Sequence, residues 1–234
     1  MNLSLKRINS IFQKDLKEFS RNYAISSMLL MPLVFAFIYG RLGTEDGVSL
    51  MIHLLVVNLT FGMCTAYIQC CLLAEEKEHH TLRGLMLSPA SILDILLGKS
   101  LLTFISSAII LTLSLKITHF NPEQLWLAIV VFTLNIIFYI GVGTLFSLVT
   151  NSIVGASFAS LPVMLIAVAG SSVVPFADKH IIFKLITYLP GGQLYYLLDA
   201  PSQAVLIKGL MITIAWVVVV WAITALLYNK QLTK

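Results

Sequence analysis

Residues 125–149 read LWLAIVVFTLNIIFYIGVGTLFSLV, a run without a single Asp, Glu, Lys or Arg. A helix needs about 20 such residues to cross a hydrocarbon layer of roughly 30 Å, so Leu125 to Val149 reads as a membrane span. Cutting the rest of the chain at its charges yields five more apolar stretches: Ala24 to Gly40, Val48 to Ala74, about Ile95 to Ile117, Ile153 to Phe176, and Ala204 to Tyr228. Pro32 and Pro162 lie inside two of them, which a spanning helix tolerates when neighbouring helices satisfy the freed carbonyl. The expected fold is an all-α membrane protein with six transmembrane helices.

Composition agrees. Of 234 residues, 58% are hydrophobic and 11% charged, against about 25% charged in a soluble domain. A globule of this size has no interior large enough for that apolar surface. A soluble enzyme, a nucleic-acid-binding domain and a disordered tail are excluded, and the net charge of +4 is scattered rather than gathered into a polyanion site. Cys64, Cys70 and Cys71 share one apolar stretch without CxxC spacing, so they read as buried thiols and not as a metal site or disulfide framework.

Basic residues set the orientation. With the amino terminus cytoplasmic, the inner segments hold Lys6, Arg7, Lys14, Lys17, Arg21, Lys77, Arg83, Lys99, Lys230 and Lys234, and the outer ones only Arg41, Lys116, Lys179, Lys184 and Lys208. The excess places both termini inside a multi-pass protein of the cell membrane. The long polar lead, and Arg41 where a small-x-small site would stand, predict that the first span is retained rather than cleaved. Within that lead, residues 1–23, Leu5, Ile8, Phe12, Leu16 and Phe19 recur at helical spacing with Lys6, Lys14, Lys17 and Arg21 mostly off the stripe. This predicts an amphipathic helix lying in the inner headgroup layer, ahead of a membrane domain covering residues 24–234.

The densest charge cluster lies between spans two and three: Glu75, Glu76, Lys77, Glu78, His79, His80, Thr81, Leu82 and Arg83. A helix continuing to about Leu87 would carry an apolar stripe of Leu82, Leu85 and Met86, and Pro89 disfavours helical geometry at Ser88. A short, rigid, charged element joined to two spans is suited to passing force from a cytosolic partner into the bilayer.

The order Glu…Glu…Thr-Leu…Leu-Met-Leu-Ser-Pro…Gly-Lys, from Glu75 to Lys99, resembles that of the ABC-2 type membrane permeases, half-transporters that work with a separate ATPase. Chain length, six spans, the amphipathic lead and the Tyr188-Leu189-Pro190-Gly191-Gly192 stretch extend the resemblance over nearly the whole chain. His80 and Arg83 depart from the usual Gly and acidic residue, implying a docking surface of different charge. The resemblance implies that residues 75–87 form a coupling helix, with Glu75, Glu76, Glu78, His79, His80, Thr81, Leu82, Arg83, Leu85 and Met86 as contacts to a cytosolic ABC ATPase. It further implies a homodimer or heterodimer of permease subunits, and export of a peptide, toxin, antibiotic or other amphipathic or hydrophobic cargo. Lipid or polysaccharide export, or a non-transporting scaffold or immunity protein, are the alternatives.

No other motif survives inspection. Leu97-Gly98-Lys99-Ser100 has the tail of a P-loop, but Leu93 stands where the first Gly belongs. ATP and Mg are therefore expected on the partner, with no cofactor in this chain. Glu75-Glu76 with His79 and His80 lacks the HExxH arrangement of a zinc protease, and Gly155-Ala156-Ser157-Phe158 lacks the glycine that would follow a serine nucleophile. No catalytic or metal-binding residue is expected. Asn58, Thr60, Gln69 and Asn135 are polar groups inside spans, serving as interhelical hydrogen-bond partners or as the lining of a translocation path. His53 is expected at the outer interface. Gly141, Gly143, Ser147, Gly155, Ala156, Ala159 and Ser160 form small faces for close packing, within the chain or at a dimer seam. Residues 177–201 are expected to form an outer hairpin of two short helices around Pro190-Gly191-Gly192, with Tyr188, Tyr195 and Tyr196 near the interface.

Overall fold

The computed structural model describes residues 4–41, 48–79, 92–199 and 202–232, and every regular element among them is helical. In chain order these are α1 (Leu5–Arg21), α2 (Tyr23–Ser26), a 3₁₀ turn (Ser27–Leu29), α3 (Leu30–Arg41), α4 (Leu50–Leu59), a π-helical segment (Thr60–Tyr67) and α5 (Ile68–Glu78). Then follow α6 (Ile92–Ile117), α7 (Leu125–Val149), α8 (Ile153–Ser172), a 3₁₀ turn (Val174–Phe176), α9 (Ile181–Thr187), α10 (Pro190–Leu198) and α11 (Gln203–Leu232).

Among the described residues, five helices are long and apolar enough to cross a membrane: Leu50–Glu78, Asp94–Ile117, Leu125–Val149, Ile153–Ser172 and Gln203–Leu227. Ser27–Arg41, within the first expected span, is a shorter apolar helix. The second expected span does not stop at Ala74. Its helix runs on through Glu78, so the acidic residues continue a spanning rod.

That rod is the axis of the bundle. Leu54, Val57 and Phe61 pack with Val131, Phe132, Ile136 and Tyr139 of α7 and with Leu194 and Leu197 of α10. A second cluster joins Phe19 of α1 and Ile25 to Cys64, Ile68, Cys71 and Leu72 on one side and Leu102 on the other. All three cysteines are buried and unpaired. By contrast α11 turns Met211, Val218 and Leu226 outward, as a rod bathed in lipid can.

The small residues of α7 serve packing inside the chain. A Cβ at Gly143 would collide with the Ala66 carbonyl and with Gln69 Cβ, so the axis of α7 approaches the π segment as closely as backbone allows. The outer hairpin has two short helices, but its turn is Tyr188-Leu189. Pro190 is the first residue of α10, where its missing N–H costs nothing and its fixed φ suits a helix start. Pro190, Gly191, Gly192, Leu194 and Leu197 are buried among the longer helices, whereas Ile181, Ile182 and Leu185 of α9 are exposed.

His53, near the start of α4, is held within the chain. It is buried, with Nδ1 2.9 Å from the Ser49 carbonyl and Nε2 2.9 Å from the Thr118 carbonyl. It thereby joins the start of α4 to the end of α6. The sequence places an imidazole one turn into the span, where two backbone carbonyls are within reach, that of Ser49 already accepting from the Ile52 and His53 N–H groups.

A candidate coupling site at the charged end of the bundle

Residues 80–91, and with them His80, Thr81, Leu82, Arg83, Leu85 and Met86, lie outside the described residues. The elements that flank them do not. α5 ends at Glu78 and α6 begins at Ile92; α1 packs along α6 and reaches Glu76 of α5 through Lys14.

Three charged side chains converge where these helices meet. Lys99 of α6 places Nζ 3.2 Å from Asp15 Oδ2 of α1 and 3.1 Å from Glu76 Oε1 of α5; its side chain is 1% exposed, those of Asp15 and Glu76 0% and 3%. Lys14 of α1 closes the network from outside, 2.6 Å from Glu76 Oε1 and 3.3 Å from Glu18 Oε2. Taking a charge from water costs several kcal/mol, so these groups persist only because each faces an opposite charge. One turn earlier on α6, buried Asp94 accepts from the Ser4 backbone N–H at 3.1 Å and pairs with Arg7 at 3.4 Å.

Gly98 makes this geometry possible. A Cβ there would come within 2.8 Å of Ile11 Cγ2 and 2.9 Å of Ile11 Cβ. Without one, α1 lies directly on α6, and the next residue, Lys99, reaches Asp15. The buried face of α1 is accordingly Ile11, Asp15 and Phe19, while Leu5 and Leu16 of the expected stripe are exposed. The helix presents its acid to the protein and part of its apolar surface to its surroundings.

Electrostatics follow the burial. Burial pulls the Lys14 ammonium down, but the hydrogen bond and charge of Glu76, with Asp15 and Glu18, outweigh it and hold the group above its ordinary value. Burial pushes the Asp15 carboxyl up, and Lys99 and Lys14 oppose that push without cancelling it.

The expected docking residues that are described all have partners inside the chain, except His79, which is exposed. Glu75 accepts from Asn22 Nδ2 at 3.0 Å, and Glu76 belongs to the buried network. Glu78 Oε2 accepts from the Ile153 N–H at 2.7 Å, at the start of α8. Beside it Lys77 Nζ donates to the carbonyls of Ser147, Leu148 and Thr150 at 2.6, 3.3 and 3.2 Å, at the end of α7. A cation on the last carbonyls of one helix and an anion on the first N–H groups of the next both match the helix dipole. The end of α5 thus grips the α7–α8 junction.

The four intramembrane polar residues are not gathered at one place. Gln69 accepts from Thr103 at 2.6 Å and donates to Thr144 at 3.1 Å, tying α5 to α6 and α7. Asn58 donates to Ser171 at 3.0 Å and to the Gly191 carbonyl at 3.3 Å; Thr60 and Asn135 donate to carbonyls of their own turns. All four are fully buried within the chain.

Lys99, Asp15, Lys14 and Lys77 were missed as site residues. The available signal was an ionisable side chain set in apolar sequence, which is a functional candidate by default. The acidic trio Asp15, Glu18 and Glu76 has its oxygens close enough for a cation, but the ammonium groups of Lys14 and Lys99 are already there.

The expected order of spans and charged elbow meets an outside comparison. No curated protein matches the chain. The family model for the ABC-2 type transporter, however, matches residues 6–190, a stretch that runs from α1 through the charged network to the start of α10. A match over most of the length, on a multi-pass helical bundle, shows that the chain belongs to the ABC-2 type transporters, membrane permeases of a family that works with an ABC ATPase and dimerises.

Proposed function

We propose that the chain is the permease subunit of an ATP-driven exporter, pairs with a second permease, and takes its motion from a separate ATPase docked on residues 75–87. The supporting observation is the Asp15–Lys99–Glu76 network. The helices on either side of that segment are tied to each other and to α1, while Lys77 and Glu78 carry the tie to α7 and α8. A push on the segment is therefore delivered to several rods as rigid bodies. ATP drives the change only if it binds the two access states with different affinity.

Six spans and two cytoplasmic termini complete the reading. Tyr23 to Arg41 is helical nearly throughout and about 28 Å long at 1.5 Å per residue. It starts beside Asn22, bonded to Glu75 at the charged end, and finishes where Gly40 meets the Ile117 carbonyl at the far end of α6. Leu30, Val34 and Phe37 on it are exposed, as lipid-facing residues are. The basic excess puts the charged end inside. An amphipathic or hydrophobic cargo, with a peptide, toxin or antibiotic favoured, suits walls this apolar.

The test is copurification with a candidate ABC ATPase from the same genome, followed by a screen of amphiphiles for those that raise ATP turnover. Stimulation by one amphipathic class supports the reading. An ATPase that never binds the permease removes it.

A further inference from the structure

A groove lies between α6 and α7 at the end remote from the charged network. Its volume is about 650 Å³, in the range of sites that enclose small molecules. Phe104, Leu111, Leu115, Phe132 and Ile136 form its walls, and Lys116 and His119 stand at its mouth, both exposed. A second apolar stretch of about 380 Å³ shares Phe104, Ala108 and Thr112 with it, so the trough continues along α6. From Phe104 to Lys116 the helix rises about 18 Å, close to the ~15 Å thickness of one leaflet's hydrocarbon.

We propose that this groove binds one acyl chain of an anionic phospholipid, with the phosphate held between Lys116 and His119.

The mouth suits an anion for a second reason. The carbonyls that end α6, which would repel a phosphate, are already engaged. The Phe120 N–H donates to Leu115 O at 2.9 Å and the His119 N–H to Lys116 O at 3.2 Å, a Schellman closure with His119 at φ 56°. Thr118 O accepts from His53. Lys116, His119 and Asn121 are the exposed polar side chains at this turn, and among the described residues no carboxylate lines the groove; Glu123, in the following loop, is not among its walls.

The test uses the full chain reconstituted into phosphatidylcholine vesicles containing phosphatidylglycerol or phosphatidylcholine spin-labelled on one acyl chain, and reads the motionally restricted fraction. The expected result is a preference for the phosphatidylglycerol label of about fivefold, the effect of one lysine at the surface. It falls to that of phosphatidylcholine in K116Q/H119N, where Asn keeps the left-handed turn. A108W, which fills the trough, lowers restriction of both labels. An equal fraction for the two lipids in the unsubstituted chain, or an undiminished preference in K116Q/H119N, overturns the proposal. So does an A108W variant that changes oligomeric state with lipid restriction intact, since the groove then holds a second copy.

Discussion

Lys99 and Glu76 face each other across 3.1 Å inside the protein, on the two helices that bracket the charged segment. Removing one member of a buried ion pair strands its partner's charge, at a cost of about 3–5 kcal/mol. Lys99→Met removes the buried ammonium shared by Asp15 and Glu76, with partly exposed Lys14 beside both, so it should reach that range in detergent unfolding. Glu76→Gln keeps a hydrogen-bond acceptor for both lysines and leaves Asp15 to balance Lys99, so its loss should be smaller. A Lys99→Met loss below about 1 kcal/mol would show that water reaches the network.

Close approach at Gly98 gives a second prediction. Gly98→Val puts branched carbon into space held by Ile11 and should cost about 1–3 kcal/mol as overpacking. Combining it with Ile11→Ala should restore part of the loss, because the Ile11 Cγ2 contact is removed while Ile11 Cβ and the Ile8 carbonyl remain. A double variant as unstable as the sum of the singles would place the strain elsewhere. The readout is thermal unfolding of the purified chain.

The Gly98-Lys99 pair illustrates what sequence reveals and what it hides. Hydrophobic runs broken by charge announce spanning rods, and α7 needed no more than that. The partners of Lys99 lie 84 and 23 residues away, and no local spacing encodes such distances. Asp15 was hidden by the rule that apolar stripes face inward, since a helix at a membrane surface has apolar surroundings on more than one side. For His53 the sequence shows nearness to a span's end, but not the Thr118 carbonyl at a neighbouring helix end that its ring meets.

Acid and alkali should act on the α1 tie in opposite senses. Lys14 sits above its ordinary 10.5, because Glu76, Asp15 and Glu18 outweigh the opposing effect of burial. A raised lysine contributes stability that is complete below the unfolded value and lost as pH rises through the folded one. The stability difference between the unsubstituted chain and Lys14→Gln should therefore hold constant up to about pH 10.5 and shrink beyond it. Asp15, raised from 3.8 mainly by burial, contributes most below that value and loses the contribution as pH rises through its folded one. Acidification toward 3.8 should thus strengthen the unsubstituted chain relative to Asp15→Asn. Denaturant midpoints across pH check both, and an acid-side weakening relative to Asp15→Asn would contradict the assignment.

Lys77 and Glu78 offer the sharpest test of the path from α5 into the bundle, because adjacent residues serve opposite helix ends. Lys77 meets three carbonyls at the close of α7, and Glu78 meets the Ile153 N–H at the opening of α8. A hydrogen bond to a charged group contributes about 1.5–3 kcal/mol, and Glu78 is exposed, so Lys77→Met should cost more than Glu78→Gln. Exchanging the two, Lys77→Glu with Glu78→Lys, preserves net charge but sets an anion against carbonyls and a cation against an N–H. If these residues merely salted a solvated surface, the exchange would be close to neutral. With the helix ends as their partners, it should be worse than either single neutral variant in thermal unfolding. In the reconstituted complex it should also reduce ATPase stimulation, because the grip on α7 and α8 is lost.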